Sequence, residues 1–289
     1  MGASVWRTAG VAGMKTILVP VEQHAFMRSV LAAAVSVASR FGSHVEGVAL
    51  GPDIPEIIGF DVPATWALLD QKSQRDLADR SRQTFEEFMR ERQVPGAGEP
   101  SGVSYGWAGR QLVGDSYVGS HGRAFDLLVL GKPEPRDEPP RMSTLEAALF
   151  ESGRPVLLIP REPPEAIGDT VVIAWNRSTE TARAVAFAMP ILAQARSVVV
   201  LTVEDWGVEG PSGEELAKTL RRNGIGAEVV ARGSKARSPG EAILEYAAGL
   251  KADVLVKGAY TQSRLRQMFF GGATSHVLAK AKLPVLMAH

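Results

Sequence analysis

Four apolar segments in the first half of the chain recur in the second half, in the same order. Thr16-Ile17-Leu18-Val19-Pro20-Val21-Glu22 is answered 154 positions later by Thr170-Val171-Val172-Ile173-Ala174-Trp175-Asn176. Phe41 to Leu50 returns as Ala195 to Val203, and Ala124 to Gly131 as Ala252 to Gly258. Arg154-Pro155-Val156-Leu157-Leu158-Ile159 returns as Leu283-Pro284-Val285-Leu286-Met287. Each run is apolar throughout rather than at every second position, the pattern of a strand buried on both faces. A chain that repeats at this scale is built from two copies of one unit. The offset falls from 154 to 127–129, so the first copy is longer by roughly 25 residues between its second and third strands.

Helical periodicity separates these strands. Phe26, Val30, Ala34, Val37 and Phe41 in copy one, and Ala182, Val185, Met189 and Leu192 in copy two, return at three- and four-residue intervals. Ser212 with Glu215, and Ser238 with Pro239 and Glu241, have the form of capping-box helix starts, and Asn223-Gly224 marks a stop. Each copy is predicted to run β-α-β-α-β-α-β-loop-α-β, a parallel sheet covered by helices on both faces. The boundaries fall at residues 14–160 and 169–289, with Pro160 to Gly168 as linker. The extra length of copy one lies in Gly51 to Pro63 and a long helix, Ala64 to Arg92, whose buried side holds Trp66, Leu69, Leu77, Phe85 and Phe88. It is expected to pack over the edge of the sheet, with a lid over a ligand as the alternative.

Composition excludes several classes. The 289 residues suffice for two domains with cores of their own. Thirty-two basic residues balance 32 acidic ones, so there is no basic excess for non-specific nucleic-acid binding. The absence of cysteine removes disulfides, thiolate metal sites and thiol nucleophiles, and fits a reducing cytoplasm. No apolar run approaches the ~18 residues of a membrane span. Met1 to Gly13 reads as a disordered leader, or as residues preceding a true start at Met14.

In open parallel sheets, ligands sit beyond the carboxyl ends of the strands, where strand order reverses. In copy two these ends are Trp175-Asn176, Val203-Glu204 and Gly258. There Lys257-Gly258-Ala259-Tyr260-Thr261 is followed by nine residues and then by Gly271-Gly272-Ala273-Thr274, a strand end, a loop and a helix start. Glycines admit an anion close to the backbone, and free N–H groups at a helix start point towards it. Gly258, Gly271, Gly272, Ala273 and Thr274 are therefore candidate phosphate-binding residues. Asn176 could read the edge of a base and Val203 could contact its face. The plainer alternative is that Gly258 permits a tight turn and Gly271-Gly272 begins a helix. Lys257 and Arg264 could neutralise phosphate or be solvated loop cations, and His276 is expected on a helix surface. Copy one lacks the glycines: Lys132 to Pro140 carries four prolines and three acidic residues, and Glu22 ends its first strand. Proline has no N–H to offer, and the acids repel phosphate. No P-loop, dinucleotide fingerprint, nucleophile elbow or metal-ligand histidine spacing is present, so no catalytic or metal site is assigned.

With these residues in view, the chain resembles the universal stress protein family in its tandem form, from Lys15 to His289. Binding members of that family carry Gly-x2-Gly-x9-Gly-(Ser or Thr) after the fourth strand and Asp at the end of the first. Here the loop reads Gly258-x2-Thr261-x9-Gly271-Gly272, with Thr261 in place of the second glycine and Asn176 in place of the aspartate. The resemblance implies two tandem doubly wound, Rossmann-like domains of the adenine nucleotide α-hydrolase type, each a five-stranded parallel sheet in the order 3-2-1-4-5. The last strands of the two copies are expected to lie close together. It implies an adenine nucleotide (ATP, ADP or AMP), with magnesium as companion ion, bound in copy two alone by Trp175, Asn176, Val203, Gly258, Thr261, Gly271, Gly272, Ala273 and Thr274. The protein would serve as a cytoplasmic stress-linked sensor or interaction module, as a monomer or a homodimer of tandems. The alternatives are an interaction protein with both pockets inactive, and a slow ATP hydrolase.

Overall fold

A computed structural model describes residues 13–51, 71–96, 102–133, 139–163, 165–233, 238–260 and 272–289. In copy one the chain passes through β1 (Thr16–Val21), α1 (Met27–Phe41), β2 (His44–Leu50), α2 (Gln71–Glu91), β3 (Ser104–Val113), α3 (Asp115–His121), β4 (Leu127–Gly131), α4 (Met142–Glu151) and β5 (Val156–Ile159). Copy two repeats the plan with β6 (Thr170–Ala174), α5 (Thr179–Gln194), β7 (Ser197–Val203), α6 (Gly213–Arg222), β8 (Ala227–Arg232), α7 (Pro239–Gly249), β9 (Val254–Gly258), α8 (Ala273–Lys280) and β10 (Val285–Ala288). Among the described residues no helix is long and apolar enough to cross a membrane.

The strand order is β3-β2-β1-β4-β5-β10-β9-β6-β7-β8. Each half keeps the expected 3-2-1-4-5 arrangement, parallel throughout. The detail that differs is continuity. The two sheets merge into one of ten strands, because β5 and β10 pair antiparallel, with Leu157 opposite Leu286. Each of these strands is buried at all four positions and would otherwise present an unpaired edge. Pairing them removes both edges at once.

Side chains alternate between two cores. Ile17, Val19 and Val21 face a layer made by α1, α2, α5 and α6, while Leu18 faces one made by α3, α4, α7 and α8. The predicted face of α1 is buried in full. On α5 the buried stripe is Thr181, Ala184, Val185, Ala188, Ile191 and Leu192, so the expected register is corrected: Ala182 is exposed and Met189 is half-buried. The stripe is set by where β9 meets the helix start, which periodicity of alanines alone does not locate. Phe85 and Phe88 of α2 are buried as expected, with Phe85 against the rings of Tyr105 and Trp107 on the edge strand β3. Trp66 and Leu69 lie outside the described residues.

The repeat extends to polar detail. Asp126, just before β4, accepts hydrogen bonds from the N–H groups of Lys15 (2.8 Å) and Thr16 (3.0 Å) at the start of β1. Asp253, just before β9, does the same for Gly168 (2.8 Å) and Thr170 (3.0 Å) at the start of β6. Each carboxylate ties the first strand of a copy to its fourth.

Candidate functional site

In copy two the carboxyl ends of β6, β7 and β9 meet the first turns of α5 and α8. Ser178 caps α5 by accepting from the Thr181 N–H at 3.2 Å. Asn176 Oδ1 accepts from the Ser178 N–H (3.2 Å) and from the Thr181 hydroxyl (2.5 Å). The carbonyl expected to read a base is thus spent on the helix start. Gly258 ends β9 directly beneath that turn. A Cβ there would lie 2.5 Å from the Thr181 nitrogen, a distance no side chain tolerates, so this position is glycine because a helix start sits on it. It lies within the strand rather than in a turn.

The loop after β7 folds back over the end of β6. The Val208 N–H donates to the Asn176 carbonyl at 3.0 Å, and Gly207 packs against the same carbonyl. The Trp175 indole N–H donates to the Pro211 carbonyl at 2.9 Å. Val203 is buried at the end of β7. Gly272 stands at the N-cap of α8 in an extended conformation, and no atom of the described residues lies within 4 Å of where its Cβ would be. Ala273 begins the helix, and Thr274 is buried in its first turn. The structure therefore brings Trp175, Asn176, Val203, Gly258, Gly272, Ala273 and Thr274 to one end of copy two. Thr261 and Gly271 lie outside the described residues, as does Arg264.

Lys257 is the residue most undervalued by sequence reasoning. It is no solvated loop cation. β9 continues through position 258, so alternation turns Lys257 to the same face as Leu255, under α7 and α8, where only 3% of it is exposed. Its ammonium donates to the Gly258 carbonyl (2.7 Å) and to Thr274 Oγ1 (2.6 Å), and lies 6.0 Å from the centre of the Trp206 ring. Burial lowers its pKa to about 7. His276 is half-buried on α8, with its Cβ packed against Gly240.

The matching end of copy one is filled by its own side chains. Glu22, at the end of β1, and Arg141, at the N-cap of α4, lie 3.2 Å apart between carboxylate and guanidinium. Arg141 also donates to the Gly51 carbonyl at 2.6 Å and lies 3.8 Å from Asp115, whose carboxylate accepts from the Thr144 hydroxyl at 2.6 Å. Burial pushes Glu22 up to about 7; Arg141 opposes that rise and Asp115 adds to it. Burial, with help from Arg161, lowers the neighbouring His24 to about 4. The Pro140 ring covers Gly131, where a Cβ would meet it at 2.3 Å. The cavity left among Pro20, Glu22, His24, Gly131, Pro140 and Arg141 encloses about 10 Å³, roughly the space of one water. Loop residues 134–138, with the three acids weighed in the sequence, lie outside the described residues. Closure is visible instead in Pro140, one of the loop's four prolines, and in Arg141, which no motif singles out.

The molecule is a tandem of two doubly wound α/β domains, one with its strand ends plugged and one built around a glycine-started helix and a buried lysine. Residues 169–289 match the model of the universal stress protein family. Over 49 residues the chain is 39% identical to the stress response protein NhaX of Bacillus subtilis (strain 168), a match that spans 17% of this chain and 30% of that protein. A universal stress protein from Archaeoglobus fulgidus DSM 4304 superposes with a TM-score of 0.69 at 14% identity, over 95% of this chain and 98% of that one. A Pseudomonas aeruginosa PAO1 protein of unknown function gives 0.50 at 16% identity, over 95% and 92%. At such identities the likeness is one of fold, and it extends to both copies.

Proposed function

We propose that the protein is a stress-linked, cytoplasmic nucleotide sensor or interaction module that binds one adenine nucleotide per chain, in copy two, without turning it over. The ligand class is ATP, ADP or AMP, with magnesium carried on the phosphates of the longer forms. The observation that carries this reading is the contrast between equivalent strand ends. In copy one, Arg141, Glu22 and Pro140 occupy the space beyond β1 and β4. In copy two, α8 begins at a glycine with no atom of the described residues beside its Cβ position, and backbone N–H groups at such a start suit phosphate. Calorimetric titration of ATP, ADP and AMP tests this, together with mass analysis of anything released on denaturing freshly purified protein. One equivalent is expected, lost when Gly271 is replaced by leucine in a protein that still folds; two equivalent sites overturn the asymmetry.

A second reading has its own support. The loop held on Asn176 by Val208 lies across the end of β6, where a base would rest, and Thr261 replaces a glycine of the binding pattern. A chain with both pockets closed would act through its surfaces alone, as a monomer or a homodimer of tandems. Absence of binding for all three nucleotides selects that reading.

A further inference from the structure

We propose that Lys257 is the cation that recognises the phosphoryl group of a ligand in copy two, donating its third N–H to it beside the hydroxyl of Thr274. The inference rests on the reading that this copy holds a phosphorylated ligand, and names the group that reads its charge.

The first argument is that the fold has no need of an amine here. The equivalent residue of copy one, one position before the strand-ending Gly131, is Leu130, which packs into the core on the same face. A leucine therefore satisfies this place in the sheet, and a buried lysine costs stability there unless something compensates it. No compensating carboxylate is found among the described residues. Glu204 and Asp205 on the loop after β7, and Glu241 and Glu245 on α7, are exposed. Glu180 and Arg183 on α5 lie across β9 on the opposite face, Glu209 on the loop after β7 is exposed, and Tyr246 on α7, His276 and Lys280 on α8, and His289 after β10 are not hydrogen-bonded to the ammonium. None makes an ion pair with the Lys257 ammonium, whose partners are a carbonyl and a hydroxyl.

The second argument is donor counting. A lysine ammonium has three protons, and two are placed. Thr274 Oγ1 accepts one of them, so the hydroxyl keeps its own proton to give away. Among the described residues two donors are thus left at one point, in the first turn of a helix whose N-terminus carries partial positive charge. Two hydrogen-bond donors and a positive dipole end meeting at a strand terminus suit a phosphoryl oxygen and suit no neutral group as well. Because burial holds the free amine near neutrality, an arriving phosphate draws a proton onto it, and affinity falls as pH rises through about 7.

The experiment titrates ATP and adenosine into wild-type protein, Lys257→Met and Lys257→Gln, at pH 6.5 and 8.5 and in two buffers of different ionisation heat. Methionine keeps the buried stem, and glutamine keeps a donor to Thr274; thermal melts confirm that each folds. The expected result is a tenfold to hundredfold loss of ATP affinity in both variants, the scale of one charge-assisted hydrogen bond. Adenosine should be changed far less, and proton uptake should be seen on ATP binding to the wild type alone. Unchanged ATP affinity in the folded variants overturns the proposal and leaves nucleotide binding standing, as does an equal loss for adenosine. If the wild type binds neither compound, the nucleotide reading falls, and inorganic triphosphate decides. Binding that depends on Lys257 keeps the anion site, and no binding removes it.

Discussion

The ends of β1 and β6 are equivalent places in the repeat, and their side chains are arranged in opposite ways. At β1 a carboxylate, Glu22, meets an internal guanidinium, and two neighbouring helices close over them. At β6 an amide, Asn176, turns inward to brace the start of α5 through Ser178 and Thr181, and the cation nearby is a lysine without an acid among the described residues. Copy one supplies its own counter-ion, although Glu22 Oε1, Asp115 Oδ2 and Arg141 Nε make no hydrogen bond among the described residues. Among the described residues, copy two leaves one N–H of Lys257 and the Thr274 hydroxyl proton uncommitted. A degenerate site need not be an empty one; here it is the site filled by a guanidinium set between two carboxylates.

The largest effect that could break this comparison is loss of the plug. Arg141→Met leaves Glu22 and Asp115 buried without their cation and is expected to cost about 3–5 kcal/mol, read from urea unfolding. Adding Glu22→Gln should restore part of it. If Arg141→Met is neutral, the guanidinium is not what holds copy one shut. Next come the glycines. Gly258→Ala drives a Cβ into the backbone of Thr181, while Gly131→Ala drives one into the Pro140 ring, which can yield. The expected loss is about 1–3 kcal/mol for Gly258→Ala and less for Gly131→Ala; the reverse order would show that the helix start of α5, not the proline, is the softer neighbour.

The smallest effect is in pH. Glu22, raised from 4.5 to about 7, binds its proton more tightly in the folded state, so its contribution is full below pH 4.5 and lost as pH rises to about 7. His24, lowered from 6.5 to about 4, contributes fully above 6.5 and loses this as pH falls towards 4. The two oppose each other between about 4.5 and 6.5. Glu22→Gln should therefore unmask a rise in stability with pH across that window, by up to about 1.4 kcal/mol per unit relative to the wild type. A difference between the two proteins that does not change with pH would place Glu22 in its ordinary range.

Much of this was legible because burial on both faces writes itself as unbroken apolar runs. The central strands follow that rule, whereas the edge strands β3 and β8 are only partly buried, and Ser212, Ser238 and Asn223 marked helix ends correctly because capping is local chemistry. The merging of the sheets was half legible. Nearness of the last strands followed from family resemblance, but the β5–β10 ladder depends on two segments far apart in sequence. The site was less legible still. Asn176 looked free to read a ligand because its engagement by Thr181 requires knowing how a helix seats on a strand. Gly258 looked like a turn residue for the same reason. Lys257 had a readable signal in the alternation of β9, since its neighbour Leu255 faces the core; adjacency to a glycine loop obscured it. Arg141 belongs to no pattern, and only the packed structure shows it beside Glu22.

The antiparallel join of β5 with β10 has a directional consequence. Strands run parallel within each copy and reverse across the join, so the two sets of carboxyl ends open at opposite rims of the sheet. A symmetric pair of single domains would offer the same face to a partner at either rim. This chain does not: one rim carries the uncommitted donors and the other is sealed. The molecule has a polarity, like a connector wired at one end, and a contact made at one rim has no duplicate on the far side.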